Sequence, residues 1–130
     1  MHNPLLEDIA IYLTNLGLVD GDGIDTFRDF TPEEPDNIVV LQEYKGDGTV
    51  HYDDITNRSV QIAVRNTDAD TARQKALEIL KALKSDTLRV DFTPDRWGLV
   101  SIRQCPIRIG TDGCNRVKYA FNIGVTTTLE

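Results

Sequence analysis

The most constraining feature of the chain is a change of period inside Ser59 to Ser85, SVQIAVRNTDADTARQKALEILKALKS. Val60, Ile62 and Val64 alternate with Ser59, Gln61, Ala63 and Arg65, so a period of two sets three branched side chains on one face of a strand. Past Asn66 and Thr67, the residues Ala72, Ala76, Ile79, Leu80 and Leu83 recur every three or four positions and line one stripe of a helix. Asp68 or Asp70 caps its first turn, and Lys81 and Lys84 lie toward the end where the helix dipole favours cations. A strand and a helix this close in sequence, each with an apolar surface, share a seam. No side chain in that seam does bond chemistry, so the unit is architectural.

A chain of 130 residues is expected to form a single domain over 1–130, burying roughly 65 to 70% of its unfolded surface. Its apolar runs are too short to cross a bilayer, so no membrane partner is expected. The start, MHNPLLEDIAIYL, lacks the basic region and cleavage site of a signal peptide, which points to a cytoplasmic site of synthesis. A formal charge of −7 weighs against a protein that binds nucleic acid by neutralising phosphates. It is compatible with DNA passing an acidic wall without sticking. Leu129-Glu130 reads as a cloning remnant.

Asn3-Pro4 signals a helix start, and Leu5, Leu6, Ile9, Tyr12, Leu13 and Leu16 trace its apolar stripe up to a left-handed Gly17. The segment 20–25 resembles a calcium loop, but Ile24, Asp25 and Thr31 stand where an oxygen ligand, a glycine and a glutamate are required. A flexible turn is expected, with a weak surface cation site as the alternative. Residues 26–37, with two prolines and many acids, read as a surface loop in which Phe27 and Phe30 either pin the loop to the core or meet a partner. Ile38 to Tyr44 is a strand, and 45–58 a second long loop, unless Gly46-Asp47-Gly48 folds Thr49 to Tyr52 back as a short hairpin arm.

Leu88, Val90 and Phe92 alternate in a strand ended by Pro94; Trp97 after it is either a core anchor or an interface hot spot. Val100 and Ile102 share one phase and Ile107 and Ile109 the other, with Cys105-Pro106 between them, which predicts a bulge or a sheet edge. The turn GTDG at 110–113 leads to a last strand with Val117, Tyr119, Phe121, Ile123 and Val125 facing inward and Arg116, Lys118 and Asn122 outward. If Ile109 faces Cys114, Cys105 falls near Lys118, too far out of register for a disulfide. The expected fold class is α+β: one mainly antiparallel sheet with two helices packed on one face and long loops at 18–37 and 45–58.

No phosphate loop, nucleophile elbow or zinc signature occurs, and His2, His51 and the two cysteines lack ligand-like spacing. Ser59, Ser85 and Ser101 have no neighbouring histidine, although a triad assembled from distant positions stays open. The paired acids Asp53-Asp54, Glu33-Glu34 and Asp20 with Asp22 lie in loops, without the rigid, partly buried mount that general acid/base work needs. The reading is therefore a protein without enzymatic activity, cofactor or metal.

Four patterns, PDNIVVL at 35–41, SVQIAVRNTDADTARQKALEILKAL at 59–83, RQCPIRIG at 103–110 and GTDGCNRVKYAFNIGVTT at 110–127, carry a family likeness in their order and spacing. Together they resemble the small minor capsid or tail-terminator (tail-completion) proteins of long-tailed bacteriophages. The resemblance implies a structural virion protein, made in the host cytoplasm, whose subunits form a ring, typically of six, at the head-proximal end of the tail. Such a ring ends tube polymerisation, contacts the tail-tube protein and the head-tail connector proteins, and lets DNA through its lumen without specific binding. A ring needs two different patches that meet. Candidates are Tyr52, Asp53 and Asp54 in the second loop, Trp97, and Arg116 and Lys118, set against the acids Glu33, Glu34 and Asp36. The competing readings are a neck or head-completion connector, a small hydrolase or ligand-binding domain with a deep polar pocket, and a nucleic-acid module with a basic face.

Overall fold

The computed structural model describes residues 4–49 and 55–128, with the backbone alone for 45–49. Helix α1 (Pro4–Asn15) is followed by β1 (Thr26–Arg28), β2 (Ile38–Thr49), β3 (Ile55–Asn66), α2 (Ala69–Leu83), β4 (Arg89–Thr93), β5 (Arg96–Thr111) and β6 (Val117–Thr128). The strands make one sheet in the order β1-β2-β3-β6-β5-β4, antiparallel except where β1 runs parallel to β2. The last strand is thus the middle of the sheet, paired with β3 from Ile55 opposite Thr128 to Asn66 opposite Val117.

One face of this sheet is the core. Val39 and Leu41 of β2, Val60, Ile62 and Val64 of β3, and Phe121, Ile123 and Val125 of β6 are buried there against Leu5, Leu6, Ile9 and Leu13 of α1 and Ala72, Ala76, Ile79 and Leu83 of α2. Tyr12 ties the helices together, donating to Ala82 O at 2.8 Å while its ring meets Phe92 edge-on at 5.6 Å. Helix α1 touches β4 as well as β1 and β2, which stand at opposite ends of the strand order. Six strands laid flat would separate those ends by roughly 24 Å, about twice a helix diameter. The sheet therefore curls around its helices, and both helices lie on one face.

Local chemistry sets the element ends. Asp68 caps α2, its carboxylate accepting from Thr71 N at 3.0 Å and Thr71 Oγ1 at 2.6 Å. Gly17, at φ 76°, closes α1 in the left-handed conformation while Leu18 N reaches back to Leu13 O at 3.1 Å. The acidic turn at 20–25 is consumed internally: the Asp25 carboxylate accepts from the Asp20 and Gly21 backbone N–H groups, and Asp22 pairs with Arg28 at 2.8 Å.

Several expectations are corrected. Residues 45–49 and 55–58 are not loop but the far halves of β2 and β3, with register shifts after Glu43 and Gly46. Their aperiodic composition hides a strand because neighbours supply the ladder that side-chain periodicity does not announce, β6 along the full length of β3 and β3 along β2. The loop at 18–37 contains β1, too short to show a period. Leu16 is 50% exposed because the helix ends at Asn15, and Leu88 is 57% exposed at φ 65°, outside β4. Phe30 is exposed and Phe27 half-buried; the two stack edge-on at 5.5 Å instead of entering the core. The β5–β6 turn falls two residues later than GTDG, with Thr111 opposite Val117 and Asn115 left-handed at φ 60°. Cys105 and Cys114, by contrast, are free thiols as expected, both exposed.

Candidate assembly surface

Away from the helices, the outer face of the sheet carries a polar row next to an apolar one, Val40, Ala63, Ala120 and Ile107. Gln42, Gln61, Asn122 and Gln104 stand side by side across β2, β3, β6 and β5, and Asn122 Nδ2 donates to Gln104 Oε1 at 2.8 Å. Beside this row Arg103 lies flat over Gly124 and donates to Ser59 Oγ; a Cβ at 124 would stand 2.6 Å from its Nε. The phase change predicted at Cys105-Pro106 is present as register shifts between Ile102 and Gln104 and between Gln104 and Ile107. It leaves Ile107 and Ile109 45% and 48% exposed.

At one end of this face the segment 31–37 crosses the strands as a strap held by two arginines. Arg65 follows Val64 in β3 and so points outward; it donates to Asp36 O at 3.1 Å, Glu33 O at 3.2 Å and Pro35 O at 2.7 Å. Arg116, at the foot of β6, donates through Nε to Asp112 at 2.7 Å and through Nη1 to Glu33 O at 2.5 Å, with the Glu33 and Asp36 carboxylates each 3.4 Å away. Burial first, and then the Arg116 charge, pull Arg65 below its ordinary basicity. The backbone N–H of Arg116, joined by that of Cys114 and the Arg116 side chain, holds the Asp112 carboxyl below its usual range.

This geometry corrects the expected outward position of Arg116, which is 4% exposed and takes its acids, Glu33 and Asp36, from its own chain. Lys118 is half-exposed beside them, opposite Arg65 and Gly110, and lines an open cavity of about 550 Å³ with Pro32, Glu33, Ile109, Cys114 and Arg116. Glu34 is exposed next to a cis bond to Pro35. Trp97 lies elsewhere, half-buried near the β4 edge, with the Arg89 guanidinium 5.9 Å over its ring and its carbonyl accepting from Thr127 Oγ1 at 2.6 Å. The structure thus gathers Glu33, Asp36, Arg116 and Lys118 and leaves Trp97 apart. Tyr52, Asp53 and Asp54 lie outside the described residues.

Three contributors had gone unnoticed: Arg65, Asp112, and Arg96, whose Nε meets Asp8 of α1 at 3.0 Å while Nη1 donates to Thr128 O at 3.0 Å. The outward phase of Arg65 and the four-residue spacing of Asp112 and Arg116 were visible signals. Nothing local announced the Arg96–Asp8 contact between residues 88 positions apart. Among the described residues no three histidine, cysteine or acidic side chains gather closely enough to hold a metal ion. Among the described residues no helix is long and apolar enough to cross a membrane.

No curated protein matches the sequence. The bacteriophage tail terminator protein profile matches residues 12–129, a span from the second half of α1 to the end of β6. That span takes in the whole sheet, the strap and the two arginines that hold it, so the match covers the architecture and not one motif. The chain belongs to the bacteriophage tail terminator protein family.

Proposed function

We propose that copies of this chain form a ring, typically of six, on the head-proximal end of the phage tail tube, where it stops tube growth and offers a surface to the head-tail connector proteins. The observation that carries this reading is the family match across residues 12–129. The framework supports it: a curled sheet stiffened by two helices keeps its shape while the β5 edge from Ser101 to Thr111 stays largely exposed. The formal charge of −7 suits a passage for DNA that must not bind it.

The acid–cation contact between copies is now narrower than the sequence suggested. Arg116 has its acids within the chain, so Lys118 and Glu34, which make no ion pair among the described residues, are the charges we assign to the neighbour, together with Trp97, Tyr52, Asp53 and Asp54. Adding the purified protein to growing tail tubes tests the reading. Tubes are expected to stop at the length reached on addition and to carry a ring at one end in electron micrographs. Continued elongation with no added density at either end would refute it, and density on isolated portal complexes instead of tubes would make the protein a neck connector.

A further inference from the structure

The sheet has two open edges, and they are staggered. β4 pairs with β5 only over Arg96–Leu99, with one further bond from Val100 N to Leu88 O at 2.7 Å. From Ser101 to Thr111, β5 has a strand on its β6 side only, among the described residues, and all of that stretch is exposed except the half-buried Ile102 and Pro106. At the other end, β1 covers only Val39 to Leu41 of β2. From Gln42 to Thr49, β2 is paired on its β3 side only, among the described residues. Unpaired strand edges are templates for another strand.

We propose that neighbouring copies join edge to edge, the open half of β5 of one copy running antiparallel along the open half of β2 of the next. This names the contact within the ring reading above and rests on that reading for the self-association itself. Direction permits it: three successive antiparallel pairings, β2 to β3, β3 to β6 and β6 to β5, leave β5 opposed to β2, so a repeated sheet brings the two together antiparallel. Charge favours it as well. The open half of β5 carries Arg103 and Arg108 and no acid, whereas residues 42–49 of β2 carry Glu43 and Asp47 against Lys45. A symmetric β5–β5 pairing would set Arg103 and Arg108 against the arginines of the other copy, a repulsion that the head-to-tail arrangement avoids. Ile107 and Ile109, at 45% and 48% exposure, would be covered in the join.

The offset follows from the pairings. The open part of β2 lies level with Asn122 to Thr127 of β6, and that of β5 with Val117 to Gly124. Successive copies are therefore displaced along the strands by about four residues, roughly 13 Å at the usual rise per residue. Pro106, which has no N–H to give, and the register shifts around it narrow the choice of partner strand and discourage indiscriminate stacking.

Native Cys105, exposed on the β5 edge, makes a ready probe. In the full chain carrying Cys114→Ser, a cysteine is placed on the β2 edge by Gln42→Cys or, separately, by Tyr44→Cys. The protein is treated with a short bis-maleimide, with and without tail tubes. The expected result is a ladder of dimers, trimers and larger species that disappears when Cys105→Ser is added. Arg108→Glu is expected to weaken the association at least tenfold at low salt. Dimers formed through Cys105 with no cysteine on β2 would overturn the head-to-tail join in favour of a symmetric one. Oligomers by light scattering without any ladder would overturn the edge contact and leave the ring standing. A protein that stays monomeric even on tail tubes would overturn both.

Discussion

The two faces of the sheet are held by different physics. On the inner face Phe121, Ile62, Ile123 and Leu41, all fully buried, meet two helices with no polar group to satisfy. Their contribution is non-directional and grows with the area removed from water. On the outer face Arg65 and Arg116 hold a strap through carbonyl and carboxylate contacts that depend on angle and distance. The inner face makes the fold; the outer face positions a loop. Damage to the first is expected to lower global stability, and damage to the second to loosen the strap while the rest stays folded.

The sharpest way to break this contrast is to truncate one side chain on each face. Phe121→Ala opens a cavity among β3, β6 and the helices and is expected to cost about 3–5 kcal/mol, measured by urea unfolding. Arg65→Met is expected to cost about 1.5–3 kcal/mol and to make the segment 31–37 sensitive to protease under native conditions, which Phe121→Ala does only by unfolding the chain. Equal protease sensitivity in the two variants at matched stability would erase the distinction.

A pair of glycines sharpens it further. Gly98 sits opposite Val90, and a Cβ there would stand 2.7 Å from the Phe92 ring and 3.0 Å from Val125. Core atoms cannot move aside, so Gly98→Ala is expected to cost about 1–3 kcal/mol. At Gly124 the obstacle is the far end of Arg103, which can swing into solvent. Gly124→Ala is therefore expected to change stability by no more than about 0.5 kcal/mol. A larger loss at 124 than at 98 in the same denaturant titration would mean that the outer face is as tightly packed as the inner.

The smallest expected effect is that of acid. Asp112 is held below its ordinary value by the Arg116 and Cys114 backbone N–H groups and the Arg116 side chain, and Asp68 by the Thr71 hydroxyl and backbone N–H. Carboxyls depressed in the folded state add stability that is complete above their unfolded values, about pH 4. It is lost as the pH falls through the folded ones. Below about pH 4 the hairpin tip at 112–116 and the first turn of α2 should loosen ahead of the core, as read by amide exchange. Asp112→Asn should flatten the acid dependence at the hairpin tip and leave that at α2 unchanged.

Much of the fold could be read from residues. The period of two at Val60, Ile62 and Val64, the stripe at Ala72, Ala76, Ile79 and Leu83, and the alternation from Val117 to Val125 each named the buried face correctly, because each segment contacts the core through one repeated surface. The phase change at Cys105-Pro106 foretold the irregular β5 edge. What escaped was whatever depends on a partner distant in sequence. The outer half of β2 is a strand because β3 lies beside it, and Arg116 is buried because the strap comes back over it. The candidate surface was legible in its residue types and illegible in its pairings, since a salt bridge between positions 36 and 116 has no signature in either neighbourhood.

By itself, then, the sequence determined the α+β class, the core faces of both helices, β3 and β6, an aspartate cap at 68 or 70 and the left-handed stop at Gly17. All of these are short-range consequences of side-chain period and backbone preference. The tertiary structure alone decided that β6 enters between β3 and β5, that the acids of the strap answer to Arg116 of the same chain, and that two staggered edges stay open. Those outcomes depend on which surfaces meet once the chain has collapsed, and a contact between remote residues is set by the geometry of everything packed between them.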